Sequence, residues 1–258
     1  MPSRNRESSL YLGLLKRSLT NTLYQNEPDG DNQEREHVYL HNFVRHYVKG
    51  QAVSMLPIAR MNNIEMCVFD VVERGVPGDL IETGVWRGGA TIFMRGILKL
   101  LGDTTRTVWV ADSFEGLPEP DPEKFPIEAQ AHKGVVMTTH YKHFAAGIEE
   151  VKGNFLAYDL LDDQVRFLPG WFKDTLPTAP VETLAIMRLD GDYYESTRDA
   201  LVNLYDKLSV GGYVIIDDYG EDRWTYCRRA VDEFRAERGI DDELIQVDSK
   251  CAYWRRSQ

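Results

Sequence analysis

Two short acidic motifs carry the clearest chemistry in the chain. Asp190-Gly191-Asp192 follows the apolar run Leu184–Leu189, and Asp217-Asp218-Tyr219 closes the run that begins at Tyr213. Runs of that length and composition read as strands buried on both faces. In an open α/β sheet the ligand crevice lies outside the carboxyl ends of the strands, so two neighbouring strands bring four carboxylates to one edge. Carboxylates so close repel unless some hold protons or a cation sits between them, and hard oxygen donors suit Mg2+ or a similar divalent ion better than zinc. Asp190, Asp217 and Asp218 are the expected metal ligands, and Asp190 or Asp192 the expected general base. The alternative is structural, with Asp190 and Asp217 capping the helices that follow while Asp192 and Asp218 face water.

A glycine-rich turn lies upstream. In Glu82-Thr83-Gly84-Val85-Trp86-Arg87-Gly88-Gly89 the glycines fall where a strand hands over to a helix, and there backbone can approach a ligand too closely for side chains. The spacing G-x-x-x-G-G is not the dinucleotide G-x-G-x-x-G, and Glu82 disfavours a pyrophosphate while favouring an ammonium group. This suits S-adenosylmethionine; a nicotinamide oxidoreductase and a purely structural turn are the rival readings. Asp112 ends the run Val108-Trp109-Val110-Ala111, with Ser113 after it, and is placed to accept both hydroxyl hydrogens of a ribose, or else to cap the next segment. Gly170-Trp171-Phe172, after the third strand, offers an apolar wall for an adenine ring, or plain core. Beside a sulfonium donor, a divalent ion makes a hydroxyl easier to deprotonate, so the reaction class read from these residues is O-methylation. His140 and His143 are rival bases, lying on one helical face; a solvated face is the plainer reading for them, and His37, His41 and His46 read as surface or interface residues.

The elements that must position these groups follow from hydrophobic periodicity. The pattern predicts strands over Asp79–Glu82, Thr107–Ala111, Val165–Leu168, Leu184–Leu189 and Tyr213–Asp217, with helices over Gly89–Leu101, Lys142–Phe155 and Tyr194–Leu208. Leu244–Val247 and Cys251–Arg255 are separated only by Asp248-Ser249-Lys250, which predicts a closing antiparallel hairpin. Ahead of the sheet, helices are expected over Leu10–Tyr24, capped by Ser8 or Ser9, and over Ile58–Arg74, ended by Gly75. The polar segment Gln25–Gly50 reads as a lid or an oligomer contact, and the proline-spaced Leu117–Lys124 as a loop on the rim of the substrate cleft. The division expected is residues 1–75 as N-terminal helices and lid and 76–258 as the core, forming one structural domain overall.

Composition narrows the partners. The chain has 258 residues, 43% hydrophobic and 28% charged, enough to build a large core without staples. A net charge of −11 repels polyanions, so neither nucleic acid nor an anionic membrane is an expected partner. Three scattered cysteines give no disulfide framework or zinc motif, and no export signal or membrane span is readable, which together predict a cytoplasmic protein.

Taken together, Gly75-Val76-Pro77-Gly78-Asp79-Leu80-Ile81-Glu82-Thr83-Gly84-Val85-Trp86-Arg87-Gly88-Gly89-Ala90, the Asp112 segment, Leu168-Pro169-Gly170-Trp171-Phe172 and the two acidic motifs resemble the macrocin and mycinamicin O-methyltransferase family, over nearly the whole chain. The resemblance implies a Rossmann-like class I methyltransferase fold, a mostly parallel seven-stranded sheet with a C-terminal antiparallel hairpin. It also implies Mg2+-dependent methylation of a sugar hydroxyl on a glycosylated antibiotic, and a homo-oligomer. It places the metal on Asp190, Asp217 and Asp218, the cofactor on Glu82 to Gly89 and Asp112, and the base within Asp190-Gly191-Asp192. Residues 25–52 and 119–147 depart from the family pattern and are expected to set acceptor choice. A deoxysugar of the calicheamicin pathway is the suspected acceptor; a catechol or phenolic hydroxyl is the alternative.

Overall fold

The structure, a computed structural model, describes residues 6–23, 52–137, 145–220 and 225–258. Seven strands form its centre: β1 Asp79–Thr83, β2 Val108–Asp112, β3 Val165–Pro169, β4 Leu184–Leu189, β5 Leu208–Ile216, β6 Ile245–Gln246 and β7 Ala252–Arg255. They make one sheet in the order β3-β2-β1-β4-β5-β7-β6. The first five run parallel, and β7 is antiparallel to both β5 and β6. The expected α/β class and C-terminal antiparallel pair are therefore present. Because β1 has β2 on one side and β4 on the other, the strand order reverses there, which opens a crevice at the carboxyl ends of β1 and β4.

Alternation along the strands divides the core into two layers. Leu80, Val108, Val110, Ile186 and Ile215 face one apolar cluster, while Ile81, Trp109, Ala111, Met187, Leu189, Val214 and Ile216 face the other. Helices α1 Arg6–Leu19, α2 Ile58–Glu73, α3 Gly89–Leu101 and α5 Ile148–Ala157 fill the first layer; α4, Pro126–Met137, is described below. The short α6 Phe172–Thr175 and the helices α7 Tyr194–Leu204 and α8 Thr225–Arg238 lie with the second. No described helix is long and apolar enough to cross a membrane. All three cysteines are buried and free.

Several boundaries differ from expectation, each for a physical reason. α1 spans Arg6–Leu19, so Ser8 and Ser9 lie inside it and not at its start. Its buried stripe is Leu12, Leu15, Lys16 and Leu19, leaving Leu10 at 64% and Leu14 at 48% exposure. The stripe was hidden because it contains a lysine, which burial tolerates through an ion pair with Glu65 on α2. α5 starts at Ile148, after an extended Gly147, and not at Lys142, which itself lies outside the described residues. α7 stops at Leu204 and hands over to a 3-10 turn, Tyr205–Lys207, in place of a helix running to Leu208. β5 starts at Leu208, ahead of the expected Tyr213, because a bulge carries it past Gly211 and Gly212: Leu208 pairs with Leu184, and the next partners are Tyr213 and Ile186. A Cβ on Gly212 would lie 2.7 Å from the Ala185 carbonyl oxygen, so only glycine lets the strands meet there. Leu117–Lys124 is a loop as expected, but the helix α4 that follows it was not foreseen.

Candidate active site

β4 and β5 end side by side and deliver Asp190, Asp217 and Asp218 to one place. A carboxylate oxygen from each lies within 4.8 Å of the others. Asp217 and Asp218 are buried. Asp218 Oδ2 is buried with no hydrogen-bond partner. The cluster also holds two arginines that the sequence reading missed. Arg188, 1% exposed in the middle of the sheet, donates to Glu82 Oε1 and Asp217 Oδ1, and to Asp190 Oδ2 at 2.9 Å. Arg60, on α2, donates to Asp217 Oδ2 at 2.6 Å and to Asp248 Oδ2 at 2.7 Å, tying the metal candidates to the turn of the closing hairpin. One signal was legible: Arg188 is the lone charge in an otherwise apolar six-residue strand. Nothing in the pattern of α2 marks Arg60.

Even with both guanidinium groups, negative charge predominates. Burial pushes Glu82 up to about 8 in spite of Arg188. Asp190 rises to about 6, first through burial and then through Asp217. Burial likewise raises Asp192 and Asp218 well above the ordinary carboxylate range, reinforced for each by neighbouring aspartates. Such groups hold protons more tightly folded than unfolded, so the cation-free protein gains stability as pH falls from about 8 to about 6. Asp103 and Asp162, shifted the other way, titrate below that window, and among the described residues His132, which burial lowers, opposes the trend near its acid end. Thermal unfolding should show a higher midpoint at pH 6 than at pH 8, with added Mg2+ raising the pH 8 midpoint more than the pH 6 one. A midpoint that climbs steadily with pH would contradict this charge assignment.

The glycine turn meets the acidic motif directly. Gly84 has φ +86°, and a Cβ there would lie 1.8 Å from the Asp190 carbonyl oxygen. Asp190 N donates to Thr83 O at 2.8 Å. Gly88 (φ +86°) and Trp86 (φ +49°) are also left-handed. Asp112 braces the turn from β2: its Oδ2 accepts from Val85 N at 2.7 Å and Trp86 N at 3.3 Å, and its Oδ1 from Phe114 N at 2.8 Å. Burial raises this carboxyl in spite of those bonds. The local capping role is thus real, and three backbone N–H groups take three of the roughly four acceptor positions of this carboxylate. Burial raises the Asp192 carboxyl, and Asp190, Asp217 and Asp112 add to the rise.

The other candidates are distributed around that centre. Glu82 spends one oxygen on Arg188 and keeps Oε2 buried without a hydrogen-bond partner. Gly170 N donates to Asp112 O at 2.9 Å, which ties the start of the Trp171-Phe172 segment to the end of β2, and Phe172 packs against the second apolar cluster. The Phe172 ring also reaches Gly191. Ser113 Oγ donates to Gly116 O, shaping the loop after β2. Arg87 stacks 4.6 Å from the Trp86 ring, pairs with Glu150 and donates to Ala52 O. Gly89 is covered by Val53 and Ser54; a Cβ there would lie 2.4 Å from Val53 O. His37, His41, His46, His140 and His143 lie outside the described residues, as does all of the expected lid, Gln25–Gly50. The histidine that the structure places near the acidic motif is His132, which shares a 2.9 Å hydrogen bond with Tyr193.

The chain resembles known proteins over nearly its whole length. The macrocin-O-methyltransferase (TylF) family model matches residues 8–256. The chain is 49% identical to demethyldecarbamoylnovobiocin O-methyltransferase of Streptomyces niveus, covering 98% of this chain and 96% of that one. It is 46% identical to the 8-demethyl-8-(2,3-dimethoxy-alpha-L-rhamnosyl)-tetracenomycin-C 4'-O-methyltransferase of Streptomyces olivaceus, over 96% of this chain and 93% of that one. Among solved structures, the O-methyltransferase NovP superposes with a TM-score of 0.81 at 49% identity, covering 97% of this chain and 99% of that one.

Proposed function

The chain belongs to the macrocin O-methyltransferase (TylF) family, and from that premise we propose that it transfers a methyl group from S-adenosylmethionine to a sugar hydroxyl of a glycosylated natural product, with Mg2+ or a similar cation held by Asp190, Asp217 and Asp218. The observation that carries the metal is Asp218 Oδ2, buried without a hydrogen-bond partner among oxygen donors that converge within 4.8 Å. A dry carboxylate oxygen is costly unless something positive completes it, and an all-carboxylate donor set fits a hard divalent ion. The rhamnosyl group in the name of the Streptomyces olivaceus relative supports a sugar as the acceptor class.

When bound, the sulfonium donor supplies the methyl group and the cation supplies the positive charge that acidifies the hydroxyl. The chain supplies the rest. Asp190 or Asp192 accepts the hydroxyl proton, and Asp190, pushed by burial up to about 6, suits a base working near neutral pH. Arg188 and Arg60 hold the Asp217 carboxylate from both sides, fixing its orientation. Asp112 would face the ribose, Trp171 and Phe172 the adenine, and the free oxygen of Glu82 the ammonium group. The contact of Gly84 with Asp190 keeps the cofactor turn and the acid motif in register. Assembly into a homo-oligomer is part of the same proposal, and the exposed Leu10, Tyr11 and Leu14 of α1 offer an apolar surface for it.

The test uses purified protein, S-adenosylmethionine and an acceptor panel: demethyldecarbamoylnovobiocin, a rhamnosylated tetracenomycin, a calicheamicin-type deoxysugar and a catechol. Methylation of a glycoside should fall by at least about a hundredfold in EDTA and return with Mg2+. Full activity in EDTA would remove the cation from the reaction, and turnover of the catechol alone would replace the sugar with a phenolic acceptor.

A further inference from the structure

Asp192 stands in left-handed backbone, φ +59°. A residue other than glycine keeps that conformation only where its surroundings enforce it. The chain turns tightly around it, with Tyr193 N donating to Gly191 O at 2.6 Å. On the near side the turn is pinned by packing, because a Cβ on Gly191 would lie 2.9 Å from Ser196 Cβ. The far side is held by α4.

Phe125, Glu128 and His132 are spaced to lie along one face at the start of that helix, and each grips the residues that follow Asp192. The Phe125 ring stacks on Tyr194 at 5.0 Å. Glu128 Oε1 accepts from Tyr194 N at 2.8 Å. His132 Nδ1 and the Tyr193 hydroxyl share a hydrogen bond of 2.9 Å, with the rings edge-on at 5.9 Å. Phe125, Ala129, His132 and Tyr193 are buried, yet none belongs to either apolar cluster. This contact is fastened by polar and ring interactions apart from the main core, so it can be loosened without unfolding the sheet.

We propose that His132 is a positioning residue: its hydrogen bond to Tyr193 fixes the Gly191–Tyr193 turn and so keeps Asp192 turned toward the acid crevice. The inference rests on the reading of Asp192 as a candidate base, but the conformational claim is testable without any acceptor. Tyr193→Phe removes the hydroxyl and keeps the ring, His132→Leu removes the nitrogen, and His132→Asn restores a polar group close to Nδ1. The full-length protein with S-adenosylhomocysteine and Mg2+ is followed by amide hydrogen exchange. The Tyr193 amide should exchange about tenfold faster in Tyr193→Phe and His132→Leu and near the wild-type rate in His132→Asn, while Leu184–Leu189 keep their protection. For whichever acceptor the wild type methylates, kcat should fall about ten- to a hundredfold in the first two variants, with the KM for S-adenosylmethionine unchanged.

Unchanged protection at Tyr193 in Tyr193→Phe would overturn the proposal, as would faster exchange with no fall in kcat. Lost protection along Leu184–Leu189 in every variant would assign His132 to folding and overturn it as well. Wild-type protein that methylates nothing while its variants show the expected exchange pattern would instead remove the methyl-transfer reading and leave the conformational claim standing.

Discussion

Asp218→Asn should lower methyl transfer by about a hundred- to a thousandfold while leaving the protein as stable as before, or more so. The two effects have one origin. Asp218 is buried beside Asp190, Asp192 and Asp217, which together with burial raise its proton affinity, and one of its oxygens has no hydrogen-bond partner. Such a group weakens the fold whenever the cation is absent. An asparagine amide would donate hydrogens to the neighbouring carboxylates and relieve about 1–3 kcal/mol of unfavourable burial. In the proposed role, the same change would remove a charged ligand and loosen the grip on a divalent ion. Thermal unfolding in EDTA, beside cation titration by calorimetry and initial rates at saturating Mg2+, separates the two consequences. A variant that loses stability and keeps its cation affinity would place Asp218 among the structural residues.

Arg188→Met should be the most damaging single change to the fold, costing about 3–5 kcal/mol. Arg188 reaches the ends of three strands at once, contacting Glu82 on β1, Asp190 after β4 and Asp217 after β5. Its attraction for these carboxylates does little more than repay the cost of burying them all, but methionine would leave Glu82 and Asp190 without a paired counter-charge and Asp217 with Arg60 alone. Urea unfolding measures the loss, and Arg188→Met combined with Glu82→Gln should recover part of it, because the second change removes one of the stranded charges. A loss below about 1 kcal/mol for the single variant would mean that the carboxylates find protons or water in its place.

How much of this was readable in the chain depended on how local the cause was. β4 matches its expected bounds because all six of its residues are buried, and α3 matches because Gly88 and Gly102 bracket it in left-handed backbone. The acidic motifs were legible for the same reason: they sit at strand ends, where chain order alone says which edge they reach. Lys16 concealed the buried stripe of α1, since its partner Glu65 lies on another helix. α4 escaped notice because the face it docks presents Phe125, Glu128 and His132, a mixture that hydrophobic periodicity does not register. Arg60 is the clearest case: it acts on Asp217 and Asp248, both far along the chain, and only the fold makes them neighbours.

At Gly84 the backbone lies so close to Asp190 O that not even a methyl group fits. Any side chain there would push the glycine turn away from the acids, so position 84 cannot vary without parting the two. Variation is left to surrounding walls such as the loop after β2, where a substitution can reshape the crevice without forcing the two turns apart. What fixes this junction is a shortage of space, which no choice of side chain can relieve.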